Sequence, residues 1–136
     1  MNRKSTAVWN GSIKEGKGTI TSQSQTLNAT PYSFISRFED GSGTNPEELM
    51  AAAHAGCFTM KLSLDLGSAG FIPEELSTTA TIFLENGVIS KSALVLHARV
   101  PNISQEQFQE IAQKSKETCP VSKAYNLEIT LDAHLI

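Results

Sequence analysis

Only two cysteines occur in this 136-residue chain. That is too few for the disulfide framework by which small secreted domains are held, so the thiols read as inert core residues, a redox pair or part of a metal site. They stand 62 positions apart, which excludes a Cys-x-x-Cys motif of the thioredoxin type. A structural zinc site asks for four ligands at suitable spacing. His54 and Cys57 are three apart on one predicted helix, but Cys119, His97 and His134 complete no recognisable ligand set, and no metal or bound cofactor is expected. Charge is sparse as well, with 18% charged residues and a formal net charge of −3. Lysines 14, 17, 61, 91, 114, 116 and 123 are scattered, so neither a basic nucleic-acid face nor a polyanionic tail is present. No apolar run approaches the ~20 residues that span a bilayer. The stretch 1–10 has early basic residues without an apolar run behind them and does not read as a secretory signal. The expected protein is cytoplasmic, where thiols are kept reduced, with no nucleic-acid or membrane partner.

What is present reads as one α+β domain over residues 1–136. A chain of this length buries about two thirds of its unfolded surface and needs no disulfide or metal to fold. Ala7-Val8-Trp9 and Thr19-Ile20-Thr21 flank the glycine turn Glu15-Gly16-Lys17-Gly18, which predicts a hairpin. Pro31 to Phe38, with Tyr32, Phe34 and Phe38, reads as a third strand ended by Asp40-Gly41-Ser42-Gly43. A strong helix start follows at Asn45-Pro46-Glu47-Glu48: a capping side chain, proline at the first helical position, and Glu48 where a capping box needs it. Leu49, Ala53, Gly56, Cys57, Met60 and Leu64 then recur at helical spacing, and the helix should stop near Gly67 or Gly70. Leu76 to Leu84 and Leu94 to Val100 alternate about Asn86-Gly87, a strong hairpin signal. Ser104-x-x-Gln107 opens a second helix with Phe108, Ile111 and Ala112 on its apolar face. Pro120 starts a short third one, and Leu127 to Leu135 form an alternating last strand.

Thiol chemistry alone leaves the roles of the two cysteines open. Cys57 lies in mid-helix, far from the positive end of the dipole. Its bland reading is a small core residue, whose thiol would be inert. If it reacts, a cation must stabilise the thiolate, and Arg37, among the aromatic residues Tyr32, Phe34 and Phe38, is the candidate, with Glu47 able to hold it. Cys119 precedes Pro120 at a helix N-terminus, a place that favours a thiolate. Any joint role requires Cα atoms within ~7 Å, so the helices bearing the two thiols must meet.

Two segments go beyond general chemistry. Gly43-Thr44-Asn45-Pro46-Glu47-Glu48-Leu49-Met50-Ala51-Ala52-Ala53-His54-Ala55-Gly56-Cys57-Phe58-Thr59-Met60 resembles the first-cysteine signature of the OsmC/Ohr family, and Thr118-Cys119-Pro120-Val121-Ser122 resembles the second. Trp9 with Gly11, Gly16-Lys17-Gly18 and Tyr32 to Phe38 resemble the OsmC branch. The resemblance runs from about Ala7 to the C-terminus, and its main departure is a short Asn86-Gly87 connection, which touches no site residue.

The resemblance implies an OsmC-like α+β fold, with antiparallel sheets wrapped around two long central helices in an intertwined homodimer. It implies a thiol peroxidase of stress defence, reducing organic hydroperoxides to alcohols. Cys57 would attack and form a sulfenic acid, Cys119 would resolve it as a disulfide, and Arg37 and Glu47 would activate and orient. An external dithiol, as with the dihydrolipoyl groups of lipoylated proteins that serve Ohr relatives, would reset the pair. Phe34, Phe38, Phe58 and Met60 are candidate walls for the alkyl group, and equally candidate core. Glu47 and Cys57 are ten positions apart on one predicted helix, or ~15 Å of axis. If the Arg37 that Glu47 holds acts on Cys57, Glu47 and Arg37 are therefore expected from the other subunit. His54, one turn before Cys57, reads as a packed histidine, and His97 and His134 as exposed sheet residues. Against the peroxidase stand a non-enzymatic protein binding apolar ligands in a dimer cleft, and a disulfide reductase without peroxide activity.

Overall fold

Glycine opens the space that organises the N-terminal strands. Strands β1 (Ser5–Asn10), β2 (Lys17–Ser22) and β3 (Thr30–Tyr32) pair antiparallel in that order. Gly18 lies opposite both Trp9 and Tyr32. A Cβ on Gly18 would fall 2.5 Å from the Tyr32 ring and 2.6 Å from the indole. Its absence lets the two rings meet edge to face, with centroids 5.4 Å apart.

The computed structural model describes residues 1–136 as two compact units, Met1–Leu49 and Met50–Ile136. No helix in it is long and apolar enough to cross a membrane.

The predicted third strand is corrected in the first unit. It stops at Tyr32, and Phe34–Phe38 form a short helix, α1. The cause is a capping box: Ser36 N–H donates to Ser33 Oγ at 3.2 Å, and Ser33 N–H to Ser36 Oγ at 2.8 Å. Ser36 Oγ also donates to the Thr44 carbonyl at 2.8 Å, and Asn45 Nδ2 to the Ser36 carbonyl at 3.0 Å. Phe34 and Phe38, which looked like strand alternation, are an i, i+4 helical pair with ring centroids 5.0 Å apart.

The long helix α2 runs over Pro46–Ser68 and begins where the sequence predicts. Asn45 Oδ1 accepts from Glu48 N–H at 2.8 Å, but the Glu48 carboxylate accepts from Thr44 Oγ1 at 2.8 Å, so the box is closed from Thr44 instead of Asn45. Its buried stripe is His54, Phe58, Leu62 and Leu66, a strict four-residue repeat. Met60 and Leu64, read as part of the apolar pattern, are 77% and 64% exposed.

Strands β4 (Glu75–Glu85) and β5 (Val88–Arg99) form the predicted hairpin, with Asn86 and Gly87 at φ 52° and 75° as a two-residue primed turn requires. Helices α3 (Gln105–Thr118) and α4 (Pro120–Ala124) lead to β6 (Glu128–Leu135). The second sheet has the order β4-β5-β6, and β5 and β6 are parallel, a correction to the all-antiparallel expectation. The helical crossover between them returns the chain to the end from which β5 set out. Phe58, Leu62 and Leu66 of α2 share one core with Leu94, Leu96 and Ala98 of β5 and Phe108 and Ala112 of α3. A polar tie joins the helices: Asp65 accepts from Lys61 at 2.6 Å and from Ser115 Oγ at 2.7 Å. Burial pushes the Asp65 pKa up, but these two bonds, with the positive charges of Lys61 and Lys114, outweigh it and hold the carboxyl below its ordinary value.

Candidate active site

Both thiols belong to the second unit. Cys57 projects from the middle of α2 and is half-buried, whereas Cys119 is fully buried. Cys119 is at once the C-cap of α3 and the N-cap of α4. Its N–H donates to the Ser115 carbonyl at 2.9 Å, and its carbonyl accepts from Lys123 N–H at 3.0 Å. Pro120 makes this junction sharp: it cannot continue α3, and it suits the first position of α4. The sharp turn sets Cys119 Sγ 2.9 Å from Cys57 Sγ, both as free thiols.

The environment of Cys57 does not make it acidic. Burial pushes its pKa up, the contact with Cys119 adds to this, and a hydrogen bond from Val121 N–H only partly offsets them. Cys119, the helix-terminus thiol, makes no side-chain cap bond to α4 and has no solvent-accessible surface. Of the two sulfurs, Cys57 is the one a small molecule can approach.

Behind the thiols lies a buried polar cluster. His54 Nδ1 stands 2.6 Å from Ser92 Oγ of β5, and Nε2 stands 2.8 Å from Ser122 Oγ of α4. Tyr125 packs edge-on against the imidazole at 5.3 Å, and its hydroxyl donates to the Met50 carbonyl at 2.9 Å. Burial lowers the His54 pKa, which favours the neutral ring. Burial raises that of Tyr125, and the charges of ionised Cys119 and Cys57 would add to it. His54 is the packed histidine expected. His97 and His134 are exposed, with their rings stacked at 4.9 Å.

The first unit holds the charged part of the expected site. Arg37 of α1 and Glu47, in the first turn of α2, pair within one chain. Nη2 and Nε both donate to Glu47 Oε1, at 2.9 and 3.2 Å, so the guanidinium fork meets one oxygen of the carboxylate. Glu47 Oε2 is buried without a partner. Arg37 and Phe38 border an open cavity of about 270 Å³ with Trp9, Ile13, Tyr32, Ser33 and Phe34. Phe34 and Phe38 therefore line a cavity beside Arg37. Phe58 does not: it is wholly enclosed in the core, and Met60 lies on the exposed face of α2. No sequence pattern marks Trp9, Ile13 and Tyr32 as cavity residues, although the glycine opposite Trp9 and Tyr32 is a legible sign of close aromatic packing.

Two free thiols are brought together where a long helix meets a helix–helix junction over a sheet, in a chain of α+β fold. The chain belongs to the OsmC-like family: the family described as "OsmC-like protein" matches residues 39–133. Peroxiredoxin OsmC of Escherichia coli is 49% identical over 139 residues, spanning 99% of this chain and 97% of that one. Organic hydroperoxide resistance protein-like 1 of Staphylococcus epidermidis is 34% identical over 103 residues, covering 71% of this chain and 74% of that one. Among solved structures, an OsmC-like protein from Mycoplasma pneumoniae superposes with a TM-score of 0.79 over 100% of this chain and 98% of its own, at 16% identity, a likeness of fold alone. An organic hydroperoxide resistance protein from Elizabethkingia anophelis matches with a TM-score of 0.67 at 26% identity, over 100% and 99% of the two chains.

Proposed function

We propose that this protein is a two-cysteine peroxidase that reduces organic hydroperoxides to alcohols. The observation that carries the reading is the sulfur pair: an approachable Cys57 with a fully shielded Cys119 2.9 Å behind it. A peroxide reaches the first thiol, and the second waits where the oxidised product forms. Kinship with a peroxiredoxin and with organic hydroperoxide resistance proteins supports the same reaction.

The Cys57 thiolate attacks the terminal peroxide oxygen, the O–O bond breaks, and the alkoxide leaves with a proton as the alcohol. The resulting sulfenic acid condenses with the Cys119 thiol, losing water and forming the disulfide before over-oxidation intervenes. An external dithiol returns two electrons by thiol–disulfide exchange, and a protein-bound dihydrolipoyl group is the reductant proposed. Arg37 supplies the positive charge that the surroundings of Cys57 lack, lowering its pKa and stabilising the departing alkoxide. Glu47 orients the guanidinium, and Phe34 and Phe38 receive the alkyl group.

Glu47 and Cys57 are ten residues apart along α2, ~15 Å of axis. The working site therefore combines Cys57 of one copy with the partner subunit's Arg37 and Glu47. Support for the homodimer comes from α2 itself: Ala53, Gly56, Met60 and Leu64 form an exposed apolar face, and a Cβ on Gly56 would meet nothing within 4 Å. A second copy of the helix would cover that face.

Variants of the two cysteines test the assignment. Cys57→Ser should abolish turnover of cumene hydroperoxide, and retained turnover would refute it. Cys119→Ser should react once and then accumulate sulfinic acid, whereas normal cycling without added small thiols would remove Cys119 from the resolving role. The cavity beside Trp9 favours a second reading, non-enzymatic binding of an apolar ligand. That reading predicts quenching of Trp9 fluorescence by alcohols and fatty acids with both thiols left reduced by peroxide.

A further inference from the structure

His54 is the one fully buried ionisable side chain of the second unit that the proposed reaction does not use. Both of its ring nitrogens are engaged, and the two bonds run to different elements. Nδ1 meets Ser92 in the middle of β5, part of the rigid sheet. Nε2 meets Ser122 in α4, a helix of five residues. An isolated helix that short does not hold itself together. Its place must come from tertiary contacts, and the His54–Ser122 bond is a buried polar one that reaches it from α2.

Both groups facing Cys57 hang on α4. Cys119 is its N-cap, and Val121, whose N–H bonds the Cys57 sulfur, precedes Ser122 by one residue. His54 and Cys57 are three residues apart on α2, hence on neighbouring positions of one face. The chain of contacts is short: His54 on α2, Ser122, first turn of α4, then both partners of the Cys57 sulfur.

We infer that His54 is a positioning residue which clamps α4 to α2 through Ser122 and so fixes the Cys119 thiol and the Val121 N–H against Cys57. The role rests on the two-cysteine reading for its biological purpose, but not for its test, because the clamp acts on any closure of the Cys57–Cys119 bond. When the sulfenic acid forms, the Cys119 sulfur must displace its hydroxyl along the S–O axis as water departs, and a wandering α4 would lower the fraction of productive encounters. The Val121 N–H matters at the same step, since it is the protein donor that favours charge on the Cys57 sulfur.

The geometry allows the two halves of the imidazole to be separated. Glutamine places its amide nitrogen near the Nε2 position and can keep Ser122. Asparagine reaches only the Nδ1 position and keeps Ser92 alone. Reduced protein is mixed with diamide, which takes two electrons and two protons from the thiol pair to give the disulfide and needs no peroxidase chemistry, and closure is followed by loss of thiols and by intact mass. Alkylation of Cys57 against pH is measured in the Cys119→Ser background. His54→Asn should slow closure about tenfold, the factor set by one lost buried hydrogen bond, and raise the Cys57 midpoint. His54→Gln should restore both towards the starting protein. If the histidine variants fold poorly, the serines carry the test: Ser122→Ala should slow closure as His54→Asn does, and Ser92→Ala should not. Closure equally slow in His54→Asn and His54→Gln, or equally fast in Ser122→Ala and the unaltered protein, would overturn the clamp. Normal diamide closure in a protein that ignores cumene hydroperoxide would instead count against the peroxidase reading and leave the clamp standing.

Discussion

The two regions to which the proposed reaction assigns chemistry are built on opposite terms. Behind the half-buried Cys57 the setting is interior: a shielded thiol, a fully buried histidine with both nitrogens bonded, and an apolar core directly beneath. Around Arg37 the setting is open. Its side chain is 37% exposed, its neighbours Phe34 and Phe38 line a cavity, and Glu47 meets it through one oxygen only. The first region fixes geometry but leaves the Cys57 sulfur less acidic than an ordinary thiol. The second holds a cation and an apolar wall but no nucleophile. Each supplies what the other lacks, which is why a dimer joining them is proposed, and why changes in the two regions should separate into effects on stability and effects on reactivity.

The largest effect should come from the interior. Phe58→Ala removes a wholly enclosed ring and should cost about 3–5 kcal/mol of unfolding free energy, read from denaturant midpoints. Phe38, at 51% exposure, should cost little when cut to alanine, and its loss should appear in the KM for cumene hydroperoxide while tert-butyl hydroperoxide is affected less. Equal destabilisation by the two would erase the contrast. Arg37→Ala should lower turnover by about 10²–10³, as the loss of a preorganised donor to a developing oxyanion does. It should also move the pH midpoint of Cys57 alkylation upwards. An unaltered midpoint would take Arg37 out of the mechanism.

A smaller effect belongs to the tie between α2 and α3. The folded pKa of Asp65 lies below its ordinary 3.8, so the stability it contributes is fully present above that value and is lost as pH falls through the folded pKa. Ser115→Ala removes one of the two bonds that hold the pKa down and should destabilise by about 1–3 kcal/mol at neutral pH. The penalty should shrink below pH 3.8, where the carboxyl is protonated in the unfolded chain. A penalty independent of pH would assign Ser115 to packing alone.

Much of this fold is legible where a signal is local. Asn45-Pro46 starts α2, Asn86-Gly87 turns the hairpin, Ser104 with Gln107 opens α3, and Pro120 opens α4. The failures have a common cause in longer-range terms. Alternating aromatics concealed α1, whose capping Ser36 is held by Thr44 and Asn45, about nine residues on. The direction of β6 depends on where a two-helix crossover lands, which alternation within the strand does not encode. Helical spacing puts Met60 and Leu64 on the apolar face of α2, yet they face outward, while the stripe facing the core includes a histidine that hydropathy would not choose. The candidate site divides in the same way. Its thiols and its ion pair stand out as residue types, and their proposed roles come with the family signatures. Ser92 and Ser122 are ordinary serines until the fold brings each to one nitrogen of the same imidazole.

The most direct measurement is a single-turnover oxidation. Fully reduced protein receives one equivalent of cumene hydroperoxide and, separately, of hydrogen peroxide, and free thiols and intact mass are followed with time. Rapid loss of both thiols together with two hydrogens' mass, faster with the organic peroxide, is the predicted result. Thiols that stay reduced over many minutes would contradict it and make Cys57 a packed residue of the core.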